Sequence, residues 1–189
     1  MDVKEAIEKR RAYRSFEPVV ITDEMMSELA SAAQLTASCF NNQPWRFVFV
    51  RSAEQLLRMR EALKKGNEWA YEDSLMIAVF GKKEKDCVIK EREYYLFDIG
   101  MAVSSMLLRA TEMGLVAHPI AGFSPEKTRE ILGIPEEYMV ITLINVGKKS
   151  KKTNPVMSEQ QMESEKQRPL RRNLQEIYSV DSFSASLEK

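Results

Sequence analysis

The chain has 189 residues, and its 28 Lys and Arg balance 28 Asp and Glu, so the formal net charge is zero. No global positive field draws it to nucleic acid or an anionic membrane. No apolar run approaches the ~20 residues that span a bilayer, while a hydrophobic content of 44% is enough for one real core at this length. Cys39 and Cys87 are the only cysteines. Without close spacing they predict neither a disulfide framework nor a zinc site, and they fit a reducing cytoplasm. The charged start Met1-Asp2-Val3-Lys4-Glu5 is unlike a secretory signal. His118 is the only histidine, so neither a catalytic triad nor a multi-His metal site is expected.

Asp2 with Glu5 reads as a capping box that opens a helix to Arg10. Its apolar stripe, Val3 and Ile7, leads to Arg10 and turns that guanidinium inward. Pro18 breaks the chain, and Thr22 with Asp23 and Glu24 starts a second helix through Met25, Leu29 and Ala33. A polar loop over 36–44 precedes a strand over 46–51. Ser52 and Gln55 open a helix to about Lys65, and the apolar run 75–80 reads as a buried strand. Residues 82–93 are densely charged and solvated. The helix Tyr94–Met113 is apolar around nearly its whole circumference. It is covered either by a second subunit or within one chain. A strand over 116–120 follows, then a helix with Ser124 as N-cap and Pro125 at N1, stopped at Gly133-Ile134-Pro135. A β-branched strand runs from Met139 to Val146. The order α-α-β-α-β-α-β-α-β predicts an α+β or α/β sandwich. Residues 1–147 form the predicted core. Residues 148–189 open with a basic hinge and form a polar arm, anchored at Met157, Met162, Leu170, Leu174, Ile177 and Tyr178.

Glycine-rich phosphate loops are absent, so any phosphate must be held by side chains. Arg10-Arg11-Ala12-Tyr13-Arg14 supplies guanidinium forks suited to phosphate oxygens. Ala37 through Trp45 gathers Ser38, Asn41 and Gln43, whose donors and acceptors suit the polar edge of a heterocycle. In His118-Pro119-Ile120-Ala121-Gly122-Phe123, Gly122 would let backbone groups approach a planar ligand, and His118 reads as structural. Arg171-Arg172 adds charge in the arm. Taken singly, each cluster also reads as a solvated turn.

In their order and spacing the clusters resemble the FMN-dependent nitroreductase family. Arg10 through Phe16 resembles that family's R-R-S-x-R-x-F, and Ala37 through Trp45 its P-S-x-x-N-x-Q-P-W. Asp98 through Leu115 resembles the D-x-G-x-A helix ending in G-L, and Pro119 through Phe123 resembles P-I-x-G-F. Leu132 through Pro135 resembles L-G-I-P, and Arg171 through Ile177 the terminal R-K-P-L-E-E-I. Departures include Ala12 for Ser, Ala37 for Pro, Arg172 for Lys, and Asp73-Ser74 for Ala-Pro.

The resemblance implies a mostly antiparallel sheet flanked by helices, in a homodimer with two FMN sites at the subunit interface and an arm wrapping the partner. Arg10, Arg11 and Arg14 would meet the phosphate and the pyrimidine edge of the flavin, with Arg14 near N1 and O2. Arg171, with or without Arg172, would close the phosphate site. Ser38, Asn41 and Gln43 would join the flavin pocket, the first two from the partner chain. Pro119, Ile120, Ala121 and Gly122 would line the ring through their backbone. The implied activity is ping-pong transfer of hydride from NADH or NADPH to a nitroaromatic, quinone or similar conjugated acceptor, with no side-chain acid or base. The alternatives are a specialised enzyme of the same fold (dehalogenating or flavin-destroying), a flavin-binding module without turnover, and a plain scaffold with solvated arginines.

Overall fold

The computed structural model describes residues 1–188. Helix α1 (Val3–Lys9) opens on Asp2, whose carboxylate accepts the Glu5 N–H at 2.8 Å. A short strand β1 (Phe16–Glu17) leads to α2 (Asp23–Gln34), capped by the Thr22 hydroxyl on the Met25 N–H. Strand β2 (Arg46–Val50) is followed by α3 (Ala53–Met59), capped by Ser52, and then by strand β3 (Leu75–Gly81). The α3 helix ends before the expected Lys65. A 3-10 turn over Arg60–Ala62 redirects the chain so that Leu63 can bridge to Phe123.

The charged stretch after β3 carries an exposed hairpin, β4 (Val88–Ile89) and β5 (Arg92–Glu93), before α4 (Tyr94–Glu112). Strand β6 (Val116–Ile120) precedes α5 (Pro125–Leu132), which begins at Ser124 and Pro125 and stops at Gly133 in the left-handed conformation. Strand β7 (Met139–Lys149) and helix α6 (Glu159–Lys166) complete the order.

The sheet is antiparallel throughout, and β7 is its spine. It pairs with β3, with β6 and, at Lys148 and Lys149, with β1, while β2 pairs with β3. In β3, Leu75, Ile77 and Val79 pack into one core layer, whose helical residues include Leu29, Ala33, Ile99, Ala102 and Met106. The alternate residues Met76, Ala78 and Phe80 pack with Met59, Trp69, Ile131 and Leu143 in the other layer. A strand covered on both faces needs a continuous apolar run, which is how 75–80 reads in the sequence. The fold is therefore the α+β sandwich expected.

The stripe expected on α1 meets a different outcome, and one of the two readings left open for α4 drops out. Val3 and Ile7 are 72% and 55% exposed, and only Ala6 of α1 is buried, so the apolar stripe does not face this chain's core. On α4, Leu96 and Phe97 are 44% and 61% exposed, so one chain does not cover that helix all round. The boundary placed at 147/148 falls inside β7, which continues to Lys149. Beyond it, Asn154 and Met157 are buried, whereas Leu170, Leu174, Ile177 and Tyr178 are exposed.

Ile77→Ala, at a fully buried site in β3, is expected to lower unfolding free energy by about 3 kcal/mol. Val20→Ala, at an 82% exposed site, should leave it unchanged. Urea denaturation of both variants checks the contrast.

Candidate functional site

Arginines from both ends of the chain converge on a small cavity. It measures about 170 Å³ and is lined by Arg10, Arg11, Ala12, Arg14, Ser164, Arg168, Pro169 and Arg171. Arg10 sits at the C-cap of α1, half buried. Burial, and then the charges of Arg168 and Arg171, push its pKa down. A guanidinium does not give up its proton near neutrality, so Arg10 stays charged, half buried and beside two further cations. Burial likewise lowers Arg14, opposed by the carboxylate of Glu165.

Two helix ends organise these arginines. The last carbonyls of a helix lack partners within it and carry its negative dipole end. The Arg11 guanidinium donates to the carbonyls of Ser164 (3.0 Å) and Glu165 (3.1 Å) at the end of α6. Reciprocally, Arg168 donates to the carbonyls of Glu8 and, at 2.9 Å, Arg10 at the end of α1. Glu165 then accepts the N–H groups of Arg14 and Ser15 and the Ser15 hydroxyl.

An aromatic platform underlies this segment. The buried Trp69 ring lies 4.7 Å from His118 in a stacked arrangement, and the Arg14 guanidinium stands 5.9 Å from its centre. His118 Nδ1 is 2.9 Å from the Tyr13 carbonyl. A carbonyl only accepts, so Nδ1 carries the proton. The imidazole thereby ties the arginine segment to β6, the structural role read from the sequence.

Pro119 and Ile120 belong to β6, and Ala121 and Gly122 follow it. Gly122 is needed here for a neighbour in the same chain. A Cβ would stand 2.3 Å from Asn67 Nδ2, which donates to the Gly122 carbonyl at 2.9 Å. Asn67 Oδ1 in turn accepts Trp69 Nε1 at 3.2 Å.

The loop with Ser38, Asn41 and Gln43 lies elsewhere. It lines a different cavity, in which Ala37, Ser38 and Cys39 meet Tyr94, Phe97, Asp98 and Met101. Ser38 Oγ accepts the Gln43 N–H at 3.0 Å, and Gln43 Nε2 donates to the Asn41 carbonyl at 3.2 Å. Phe40, Asn41 and Gln43 all take positive φ (48°, 57° and 50°). Left-handed residues other than glycine store roughly 1 kcal/mol or more each and gather at functional sites.

Contrary to the reading of two unrelated thiols, Cys39 and Cys87 form a disulfide. The Cys39 segment is also tied to α4, where the buried carboxylate of Asp98 accepts the Cys39 N–H at 2.7 Å. The Cα atoms of the two cysteines lie 6.1 Å apart despite a separation of 48 residues.

The model of the nitroreductase family matches residues 7–85 and 64–148, in two overlapping segments. The chain belongs to the nitroreductase family. An NADH dehydrogenase of Thermus thermophilus is 28% identical over 178 residues, covering 78% of this chain and 86% of its own length. Protein DrgA of Synechocystis is 29% identical over 181 residues, covering 79% and 85%. Among solved structures, an oxidoreductase described as containing FMN superimposes with a TM-score of 0.83 at 26% identity, covering 97% of this chain and 94% of that one. A nitroreductase family protein of Clostridium novyi gives 0.75 at 26%, covering 80% and 87%.

In this nitroreductase-family chain the fold brings together Arg10, Arg11, Arg14 and Arg171. Arg172 is exposed and is not among the lining residues of that cavity. Ser38, Asn41 and Gln43 are not brought to the arginines within one chain. Sequence reading missed Arg168, Ser164, Glu165, Asn67 and Trp69. A signal for the first three existed. Ser158 and Gln161 form a capping box, with Met157 and Met162 placed as its hydrophobic staple, so the arm announces a docked helix.

His118 yields a test of the platform. Burial lowers its pKa to about 4, Arg14 and Arg10 add to that, and the Tyr13 hydrogen bond opposes it. The unfolded chain, with a value near 6.5, therefore binds the proton first as pH falls. Stability is fully present above about 6.5 and is lost toward about 4, by on the order of 3 kcal/mol. Urea unfolding across that range should show this slope in the parent protein and lack it in His118→Asn.

Proposed function

We propose that the chain is an FMN-dependent oxidoreductase that uses NADH or NADPH to reduce a nitroaromatic, quinone or similar conjugated acceptor. The single observation that carries the reading is the crowding of Arg10 by Arg168 and Arg171 in a half-buried cavity. Like charges held this way call for an anion, and a phosphate dianion with three acceptor oxygens fits the guanidinium donors around it. Family membership and the FMN-containing structural neighbour support the same choice.

Arg10, Arg11, Arg14 and Arg171 would hold the phosphate end, with Arg168 as a further donor. Pro119 through Gly122 would lie along the ring through their backbone. Ser38 and Asn41 would come from a second copy of the chain, with Gln43 completing the pocket. Bound FMN supplies a ring that accepts hydride from NAD(P)H and yields it to the acceptor in a ping-pong exchange. The protein then needs no side-chain acid or base, in keeping with a single histidine locked to Tyr13. Arg14, held against Trp69, would set positive charge at the pyrimidine edge, where it stabilises electron gain.

A homodimer follows from this reading, since the arginine cavity and the Ser38 loop are separate within one chain. The exposed Leu96 and Phe97 of α4 supply apolar contact surface for it. Residues 148–189 would act as an arm whose first part docks in cis and whose exposed residues from Leu170 onward reach the partner. Among the described residues no helix is long and apolar enough to cross a membrane; a cytoplasmic location is a separate part of this proposal.

The purified protein is expected to show a flavin absorption spectrum, or to acquire one on adding FMN, and to oxidise NADH or NADPH when a nitroaromatic or quinone is supplied. Arg10→Ala should weaken FMN binding roughly thirtyfold, about 2 kcal/mol for a lost charge-assisted contact. Arg172→Ala should change it less than about threefold. A colourless protein that also ignores added FMN sinks the proposal. Bound FMN without turnover points instead to a binding module, and poor nitro reduction with flavin turnover to a specialised enzyme of the same fold.

A further inference from the structure

We propose that Cys39 and Cys87 form a reversible thiol–disulfide exchange site that fastens the Ser38–Gln43 loop, with a dithiol reductant as its reaction partner. The clasp rests on the reading above only where its effect on flavin is concerned. Its geometry stands without it.

The loop is the most strained described segment of comparable length, with positive φ at Phe40, Asn41 and Gln43. Such a loop persists only where its surroundings hold it. Three ties hold it to the segment that enters α4. The disulfide joins Cys39 to Cys87. Asp98 accepts the Cys39 N–H at 2.7 Å. Asn42 Nδ2 donates to Asp86 Oδ1 at 3.2 Å and approaches Cys87 Sγ at 3.5 Å. The covalent tie is the one that redox chemistry can break, and it closes a loop across a separation of 48 residues.

Both cysteines are partly exposed, so a reductant can reach them. Exchange begins when one thiolate of the dithiol attacks a sulfur of the pair. The Cys39–Cys87 bond breaks, the departing sulfur takes a proton from solvent, and the second thiol of the reductant resolves the mixed disulfide. Two electrons and two protons pass to Cys39 and Cys87, and the reductant leaves as its own disulfide. A carboxylate oxygen of Asp86 lies within 4.8 Å of both sulfurs. Its negative charge disfavours thiolate. The freed pair therefore rests as thiols, which suits a clasp and not a nucleophile. A disulfide in a reducing compartment is commonly transient or redox-sensing.

Reduction then leaves the strained loop held by hydrogen bonds alone, and Ser38, Asn41 and Gln43 lose their fixed arrangement. Hydrogen–deuterium exchange on the full-length protein tests this, comparing the air-oxidised form, the form treated with dithiothreitol, and Cys87→Ser. Exchange over residues 38–43 is expected to quicken about tenfold in the last two, with β7 unchanged. Alkylation under denaturing conditions should modify no cysteine before reduction and both after it. FMN affinity, read by fluorescence quenching, should fall about tenfold on reduction.

Two freely alkylated thiols in the air-oxidised protein overturn the proposal, as does loop exchange that ignores reduction. Equal FMN affinity in both forms removes the link to the flavin site. Failure of either form to bind FMN defeats the functional reading instead, while exchange and alkylation still decide the clasp.

Discussion

Mutual repulsion among arginines is the constraint on which the site depends. Arg10, Arg168 and Arg171 crowd one cavity, and burial, with the charges of the latter two added, lowers the pKa of Arg10. Folding brings these groups together from positions some 160 residues apart, against their own electrostatics. The two reciprocal helix caps explain how. Arg11 closes the end of α6 and Arg168 closes the end of α1, so each terminus takes its cation from the other segment. The carboxylate of Glu165 adds a negative charge beside Arg14. One carboxylate among five arginines leaves a surplus of positive charge, and that surplus is what the proposed anion site rests on.

The rest of the architecture keeps that surplus in place. β7 carries β6 on one edge, β6 carries His118, and His118 grips the Tyr13 carbonyl between Arg11 and Arg14. Trp69 stacks on the imidazole and faces the Arg14 guanidinium, while Phe16 meets it edge-on at 5.8 Å. The neutral state of His118 is part of this design, because a third cation behind Arg10 and Arg14 would add to the repulsion. Asn67 binds both Trp69 and the Gly122 carbonyl, which ties the platform to the backbone beyond β6.

Local signals told most of the fold. Asp2, Thr22, Ser52 and Ser124 mark helix starts because a side-chain oxygen must meet an orphan N–H, a requirement confined to four residues. The run Leu75–Phe80 revealed a central strand because both its faces are covered. Stripe reading failed on α1, where Val3 and Ile7 stay exposed, since periodicity names a face without naming what covers it. The arginine cluster was legible in part. Arg10, Arg11, Arg14 and Arg171 stood out as motifs, whereas Arg168 and Glu165 act through a helix whose docking depends on contacts about 150 residues away. The Cys39–Cys87 bond was hidden for the same reason. Nothing in either neighbourhood tells that the two cysteines, 48 residues apart, meet beside the start of α4.

What remains exposed completes the argument. Leu96 and Phe97 on α4, Phe40 in the strained loop, and Leu170, Leu174, Ile177 and Tyr178 in the arm are large apolar groups turned to solvent. Scattered singly they would need no account, but Phe97 lines the same cavity as Ser38 and Cys39. The amide-bearing loop thus sits beside an uncovered apolar surface, while the arginine cluster lies in another cavity of the same chain. A second copy that covers the first could bring its own arginines to that loop. In the proposed homodimer, burial of one apolar face and completion of one polar pocket would be the same event, which would couple assembly of the subunits to capture of the proposed cofactor.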